Sequence, residues 1–175
     1  MADKWIEVNI HLNDYSRTNE ALIETVRKLV QDFKKENWIK SWHFFREPHI
    51  RLRFFGEEEN ITKIKDAIER KLNEMESTKS ELYAYHIFGS HGRKNEEYTG
   101  EADYWLDDWP LVMKLWENTS EFALNLISKK PSKPLGIHGE RHIHLLLNQL
   151  GLPHEYFGTQ TEVIIQYRRP KRPDE

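Results

Sequence analysis

There is no cysteine among the 175 residues. Disulfides, thiol nucleophiles and cysteine-ligated zinc or iron–sulfur centres are thereby excluded. No long apolar run of roughly eighteen residues occurs, and the opening Met1-Ala2-Asp3-Lys4-Trp5-Ile6-Glu7 has no extended apolar core, so neither export nor membrane spanning is expected. The expected location is the cytoplasm. An excess of basic charge is also missing: 26 Lys and Arg stand against 29 Asp and Glu, a net charge of -3, which disfavours a nucleic-acid partner held by bulk charge. Internal repeats and low-complexity segments are absent. What is present is 31% charged residues and 12% aromatics, with six Trp, a composition that folds around a few large side chains beneath a well-solvated surface. A chain of 175 residues has room for one well-buried domain.

Trp5 to Leu12 alternates strictly, with Ile6, Val8, Ile10 and Leu12 on one face and Glu7, Asn9 and His11 on the other, the pattern of a half-buried strand. From Thr18 the positions Leu22, Val26, Leu29, Val30 and Phe33 follow helical spacing as far as Asn37. Trp38 to Phe45 and His49 to Gly56, broken by Arg46-Glu47-Pro48, read as a hairpin in which Ile50, Leu52 and Phe54 face away from His49, Arg51 and Arg53. Asn60 is the expected cap of a second helix carrying Ile61, Ile64, Ala67, Ile68, Leu72 and Met75, and Glu81 to Ile87 is β-like. The order βαββαβ predicts an α+β, ferredoxin-like core over residues 1–89. The helices would cover the face made by Ile6, Val8, Ile10, Ile50, Leu52 and Phe54. The opposite face, with Glu7, Asn9, His11, His49, Arg51 and Arg53, would be open.

Residues 90–100 have no apolar period and predict an exposed loop. A helix is expected from about Pro110 to Ser128 and another from about Gly139 to Leu150; Thr161 to Tyr167 suggests an additional strand, and residues 168–175 a loose tail. The domain is thus a sheet core followed by a helical C-terminal extension over residues 90–167.

Two groups of residues could carry chemistry. Arg51 and Arg53, at i and i+2 on one strand, lie on one face about 7 Å apart and present planar donor forks suited to carboxylate or phosphate. An anion site is one reading, with His11 and Asn9 next door; solvation of the open face with pairing to Glu7 is the other. On the late helix Arg141, His144 and Asn148 share a face, and His144 titrates near neutrality. His138, His142 and His144 do not have the H-E-x-x-H spacing of a zinc site, so no metal is expected. An RNA-recognition surface would need aromatics on the outer face of the central strands, where this chain carries His, Asn and Arg.

Trp42-His43-Phe44-Phe45-Arg46-Glu47-Pro48-His49-Ile50-Arg51-Leu52-Arg53-Phe54 resembles the signature W-x-F-x-R-Y-x-D-P-x-x-H-I-R-L-R-F of the C-terminal elimination domain of lantibiotic dehydratases, a fold shared with thiopeptide biosynthesis proteins. Lys114 to Glu121 is similar to that family's a-E-x-x-F-x-x-D-S helix, and Arg141 to Gln149 to its S-x-x-H-M-x-x-N-R helix. The three stretches fall in the family's order, and the likeness spans nearly the whole chain as a stand-alone form. The resemblance implies a lyase acting on a precursor peptide, in which glutamyl esters of Ser or Thr lose glutamate by β-elimination to leave dehydroamino acids. It implies catalytic roles for Arg51, Arg53 and His144, with Arg93 and Asn148 at the substrate; the strand and helix faces add His49, His11, Asn9 and Arg141 as candidate substrate contacts. Arg93 is the candidate for the family's R-Y-G-G loop arginine, whose motif is otherwise unmatched, and Gln149 stands where the family has Arg. No metal or organic cofactor is implied, and a partner protein would supply the glutamyl ester. Two alternatives stay open: a [4+2] cyclase forming a pyridine ring in thiopeptides, and a non-catalytic module that grips an acidic peptide.

Overall fold

The computed structural model describes residues 2–46, 49–90, 93 and 96–129, all belonging to one compact unit, residues 1–130. The expected helix at 139–150, the strand at 161–167 and the tail lie outside the described residues, as do Arg141, His144 and Asn148.

Four strands, β1 (Asp3–Leu12), β2 (Ser41–Phe45), β3 (Ile50–Glu57) and β4 (Tyr83–Phe88), form an antiparallel sheet in the order β2-β3-β1-β4. Between β1 and β2 runs helix α1, residues 18–35, made of Thr18–Ala21, a π turn at Leu22–Val26 and Arg27–Lys35. Its end is set by Asn37 at φ 55: the Trp38 N–H reaches Phe33 O at 2.9 Å, the Asn37 N–H reaches Lys34 O, and the Trp38 and Phe33 rings stack. That is the hydrogen-bond pattern of a left-handed helix stop with its apolar clasp.

Helix α2 (Glu58–Thr78) joins β3 to β4. It begins two residues before the expected cap. Glu57 occupies the capping position without a side-chain bond, and Asn60 instead accepts from Lys63. Glu58 and Glu59 suit the positive end of the helix dipole, which extends the first turn past Asn60. The apolar stripes of α1 and α2 bury Val8, Ile10, Ile50, Leu52 and Phe54, each at most 1% exposed, together with Leu22, Val26, Ile64, Ile68 and Leu72. A short helix α3 (Ala102–Trp105) and the longer α4 (Trp109–Ser128) follow. Against the β2 edge, α4 sets Ser120, whose hydroxyl accepts the Phe44 N–H at 3.1 Å and satisfies a donor that the edge strand would otherwise leave unpaired. Among the described residues no helix is long and apolar enough to cross a membrane.

The face expected to be open is not. Glu7, Asn9, His43, His49 and Arg53 are all buried. A second aromatic cluster, Trp5, Tyr98, Trp109 and Val112 with Phe55, Trp105, Met113 and Trp116, closes over one end of it. In the segment after β4 the described Arg93, Glu96, Glu97 and Thr99 are exposed, as expected of a loop, but Tyr98 is buried, and Gly100, at φ 88, approaches the Trp5 indole so closely that a Cβ there would sit 2.8 Å from Nε1.

Candidate functional site

Strand register builds the site. Glu7 faces Arg53 and Asn9 faces Arg51 across β1 and β3, while His43 and Phe45 of β2 face Arg53 and Arg51 from the other side. Residues directly opposite in a sheet share a face, so two arginines, a carboxylate, an amide and an imidazole converge on one surface.

Arg53 is the hub of one half. Its Nε donates to Glu7 Oε2 at 2.5 Å, and Nη1 donates to the Tyr98 hydroxyl and to Glu101 Oε1, each at 3.1 Å. The guanidinium carbon lies 3.9 Å from the centre of the Tyr98 ring and 5.2 Å from that of Phe45. Such a charge survives burial only because carboxylate, hydroxyl and aromatic faces replace its water. His43 Nε2 lies 3.4 Å from Nη1 and can only accept from it. Burial first, and then the Arg53 charge, push the His43 pKa down to about 3, so the imidazole is neutral across the physiological range. Burial likewise pushes the Tyr98 phenol well up. This ring is thus a neutral donor.

The other half is organised by Asn9. Its Nδ2 donates to Gly89 O at 2.6 Å and to Ile87 O at 3.5 Å, and its Oδ1 lies 2.7 Å from His49 Nε2. His49 packs on His11 with ring centres 4.4 Å apart, and His11 stacks on the half-exposed Tyr85 at 4.3 Å. Burial lowers the pKa of both histidines, and His49 is lowered further by His11 and Arg51. Arg51, half-buried, places its guanidinium carbon 5.3 Å from the Phe45 ring centre, on the same ring that Arg53 uses.

Five of the sequence-derived site residues, Asn9, His11, His49, Arg51 and Arg53, therefore share one face. Arg93 does not join them within what is described: its side chain, 74% exposed, pairs with Glu96 of its own loop. The expectation that Arg53 is a solvated side chain is overturned, since it is 1% exposed and locked to Glu7. The pairing with Glu7 weighed as the plainer reading is the one found for Arg53. Sequence reasoning missed Tyr98, Glu101 and Trp105, which lie in a segment without periodicity; the only available signal was an aromatic residue recurring within a polar stretch.

A four-stranded antiparallel sheet packed with helices, carrying a buried arginine, amide and histidine face, defines an α+β protein built around a polar sheet surface. The profile of the lantibiotic biosynthesis dehydratase C-terminal family matches residues 5–172, and the chain belongs to that family. No curated protein matches the chain. Among solved structures it is similar to the crystal structure of TsrL, at 16% identity and a TM-score of 0.49, over 79% of this chain and 39% of that one. The chain thus spans about two fifths of the length of that structure.

Proposed function

We propose that the protein is a peptide-modifying lyase that eliminates glutamate from glutamylated Ser or Thr of a precursor peptide. Family membership supports the reaction class, and the strand order with two helices on one face suits the ferredoxin-like topology that class uses. The observation that carries the reading is Arg51, half-buried on the polar face with Asn9 opposite it and His49 two residues before it. In β-elimination a base removes the Cα proton, the electron pair of the broken Cα–H bond forms the Cα=Cβ bond, and the Cβ–O bond breaks with its pair leaving on the glutamyl carboxylate. Charge develops on the adjacent amide oxygen and on the departing oxygen, where a fixed guanidinium is most effective. Arg51 takes that role. By resemblance His144 is the base, with Arg141 and Asn148 beside it. His49, His11 and Asn9 shape the surface on which the peptide lies, and a partner enzyme supplies the ester.

Mass spectrometry of a glutamylated precursor peptide tests this. Wild type should release glutamate and leave a dehydroamino acid, while His144→Ala and Arg51→Ala should leave the peptide at its full glutamylated mass. Unaltered mass with all three proteins would make the chain a binding module. Consumption only of a peptide already carrying two dehydroalanines would make it a cyclase.

A further inference from the structure

Among the described residues three large apolar side chains, Tyr104, Leu106 and Leu111, are 79%, 73% and 71% exposed within eight residues of chain, at the corner between α3 and α4. The backbone that carries them is fixed. Trp109, in the middle of the stretch, is buried in the aromatic cluster with Trp5, Tyr98 and Val112, and the Trp105 ring meets Trp116 on one side and Tyr104 on the other, both edge-on. The Leu106 N–H reaches Ala102 O, and the Leu106 carbonyl accepts the Trp109 N–H. Leu106 is unfavourable on two counts. Its backbone, at φ 49 and ψ -127, has the angles of the first central residue of a type II′ turn, a glycine position, and its side chain stands in water. Glycine would make the same turn with less strain, so the stability of the chain does not account for a leucine there. An exposed apolar patch with a polar rim is the mark of a surface that meets another molecule.

The rim is of one sign. Asp103, Asp107 and Asp108 are all exposed, and among the described residues none of the three has a side-chain hydrogen bond or ion pair; Asp108 precedes α4 without capping it. The first base along α4, Lys114, is taken up by Glu117. Asp107 and Asp108 lie four and three residues before Leu111, the spacing of neighbours on a helix surface, so acid and apolar groups share one small area. Nucleic acid and anionic membranes are repelled by it, and a second copy related by a two-fold axis would bring these acids onto themselves. We infer that the corner between α3 and α4 docks a short amphipathic segment of another protein, whose aliphatic stripe covers Tyr104, Leu106 and Leu111 and whose flanking Lys or Arg residues pair with Asp103, Asp107 and Asp108. Three side chains make a patch too small for a globular partner and suited to a linear helical segment laid across it. The inference is independent of the lyase reading.

The probe is a fluorescein-labelled peptide of about 15 residues, built of Leu at helical spacing and Lys elsewhere, titrated with the protein and followed by anisotropy; the same peptide with Glu for Lys is the control. Wild type should bind the Lys peptide and not the Glu peptide. Leu106→Gly and Leu111→Ser, which leave every charge in place, should each weaken binding about tenfold. Leu106→Gly should at the same time raise the urea midpoint, because it relieves the strained turn. Asp107→Asn with Asp108→Asn should weaken binding and flatten its salt dependence, whereas removing two exposed acids of α2, Asp66→Asn with Glu69→Gln, should leave it unchanged. Affinity within about twofold of wild type in both leucine variants, or an equal loss in the α2 double variant, would make the attraction one of bulk charge and overturn the inference. No binding of the Lys peptide by wild type overturns it as well, and a lowered midpoint for Leu106→Gly would give the leucine to the fold. Sedimentation equilibrium showing wild-type dimers that dissociate in Leu111→Ser would assign the surface to a second copy and remove the proposed partner.

Discussion

Replacing Arg53 by alanine takes from the buried Glu7 carboxylate the guanidinium that faces it, and the cost follows from the loss of that pair. The Glu7 side chain is 0% exposed and meets the Arg53 guanidinium at 2.5 Å. Removing one member of a buried pair costs about 3–5 kcal/mol, because the remaining charge must stay desolvated or take up a proton. Glu101 adds little to this, since it can turn to water. Against a total stability of about 5–15 kcal/mol, the loss is a third or more for a protein in the middle of that range. With a urea dependence of about 2 kcal/mol per M, the unfolding midpoint of Arg53→Ala should fall by about 2 M. Removing the charge on both sides should recover most of it: Glu7→Leu with Arg53→Met replaces the pair by apolar groups of similar size, an exchange that is often neutral. Equilibrium urea unfolding followed by far-ultraviolet circular dichroism measures all three proteins. A midpoint for Arg53→Ala within about 0.3 M of wild type, or a double variant no more stable than the single one, would refute the reasoning.

His43 titrates near pH 3 when folded and near its ordinary value of 6.5 when unfolded, so below pH 6.5 the unfolded chain binds the extra proton and stability falls as the pH drops. The stability difference between wild type and His43→Phe should change by about 1.4 kcal/mol per pH unit between pH 6 and 4; parallel curves would contradict the assignment. Gly100→Ala places a Cβ 2.8 Å from Trp5 Nε1 at a backbone angle of φ 88, and should cost about 1–3 kcal/mol in thermal unfolding, where an unchanged midpoint would show the contact to be soft. Ser120→Ala removes the acceptor of the buried Phe44 N–H and should cost about 1–3 kcal/mol, with faster hydrogen exchange at that amide; unaltered protection would mean another acceptor takes over.

Local patterns made much of the sheet legible. Strict alternation in β1 and β3 identifies which side chains meet the helices, and the stripes of α1 and α2 identify what meets them. Alternation also separates Glu7, Asn9, Arg51 and Arg53 onto a common face. It carries no information about what lies on that face, because the cover comes from Tyr98, Trp105, Trp109 and Trp116, far along the chain and at no single period. That is why Arg51 and Arg53, identical by pattern, differ in the fold: one is half-buried over Phe45, the other is sealed beneath Tyr98 opposite Glu7. The start of α2 was obscured for a smaller reason, since Asn60 is a good capping residue and the two acids before it are equally good first-turn residues.

Asn9 decides where a proton sits on His49. Both backbone carbonyls, those of Ile87 and Gly89, can only accept, so the atom that meets them is the amide nitrogen and the atom that meets His49 is the amide oxygen. The imidazole must therefore carry its hydrogen on Nε2, and its lone pair is confined to Nδ1. A second proton can arrive only at Nδ1, and it can leave again without disturbing the bond to Asn9. Position 49 can thus change its charge while the central strands keep their register, a property dictated by two peptide oxygens that never touch the ring.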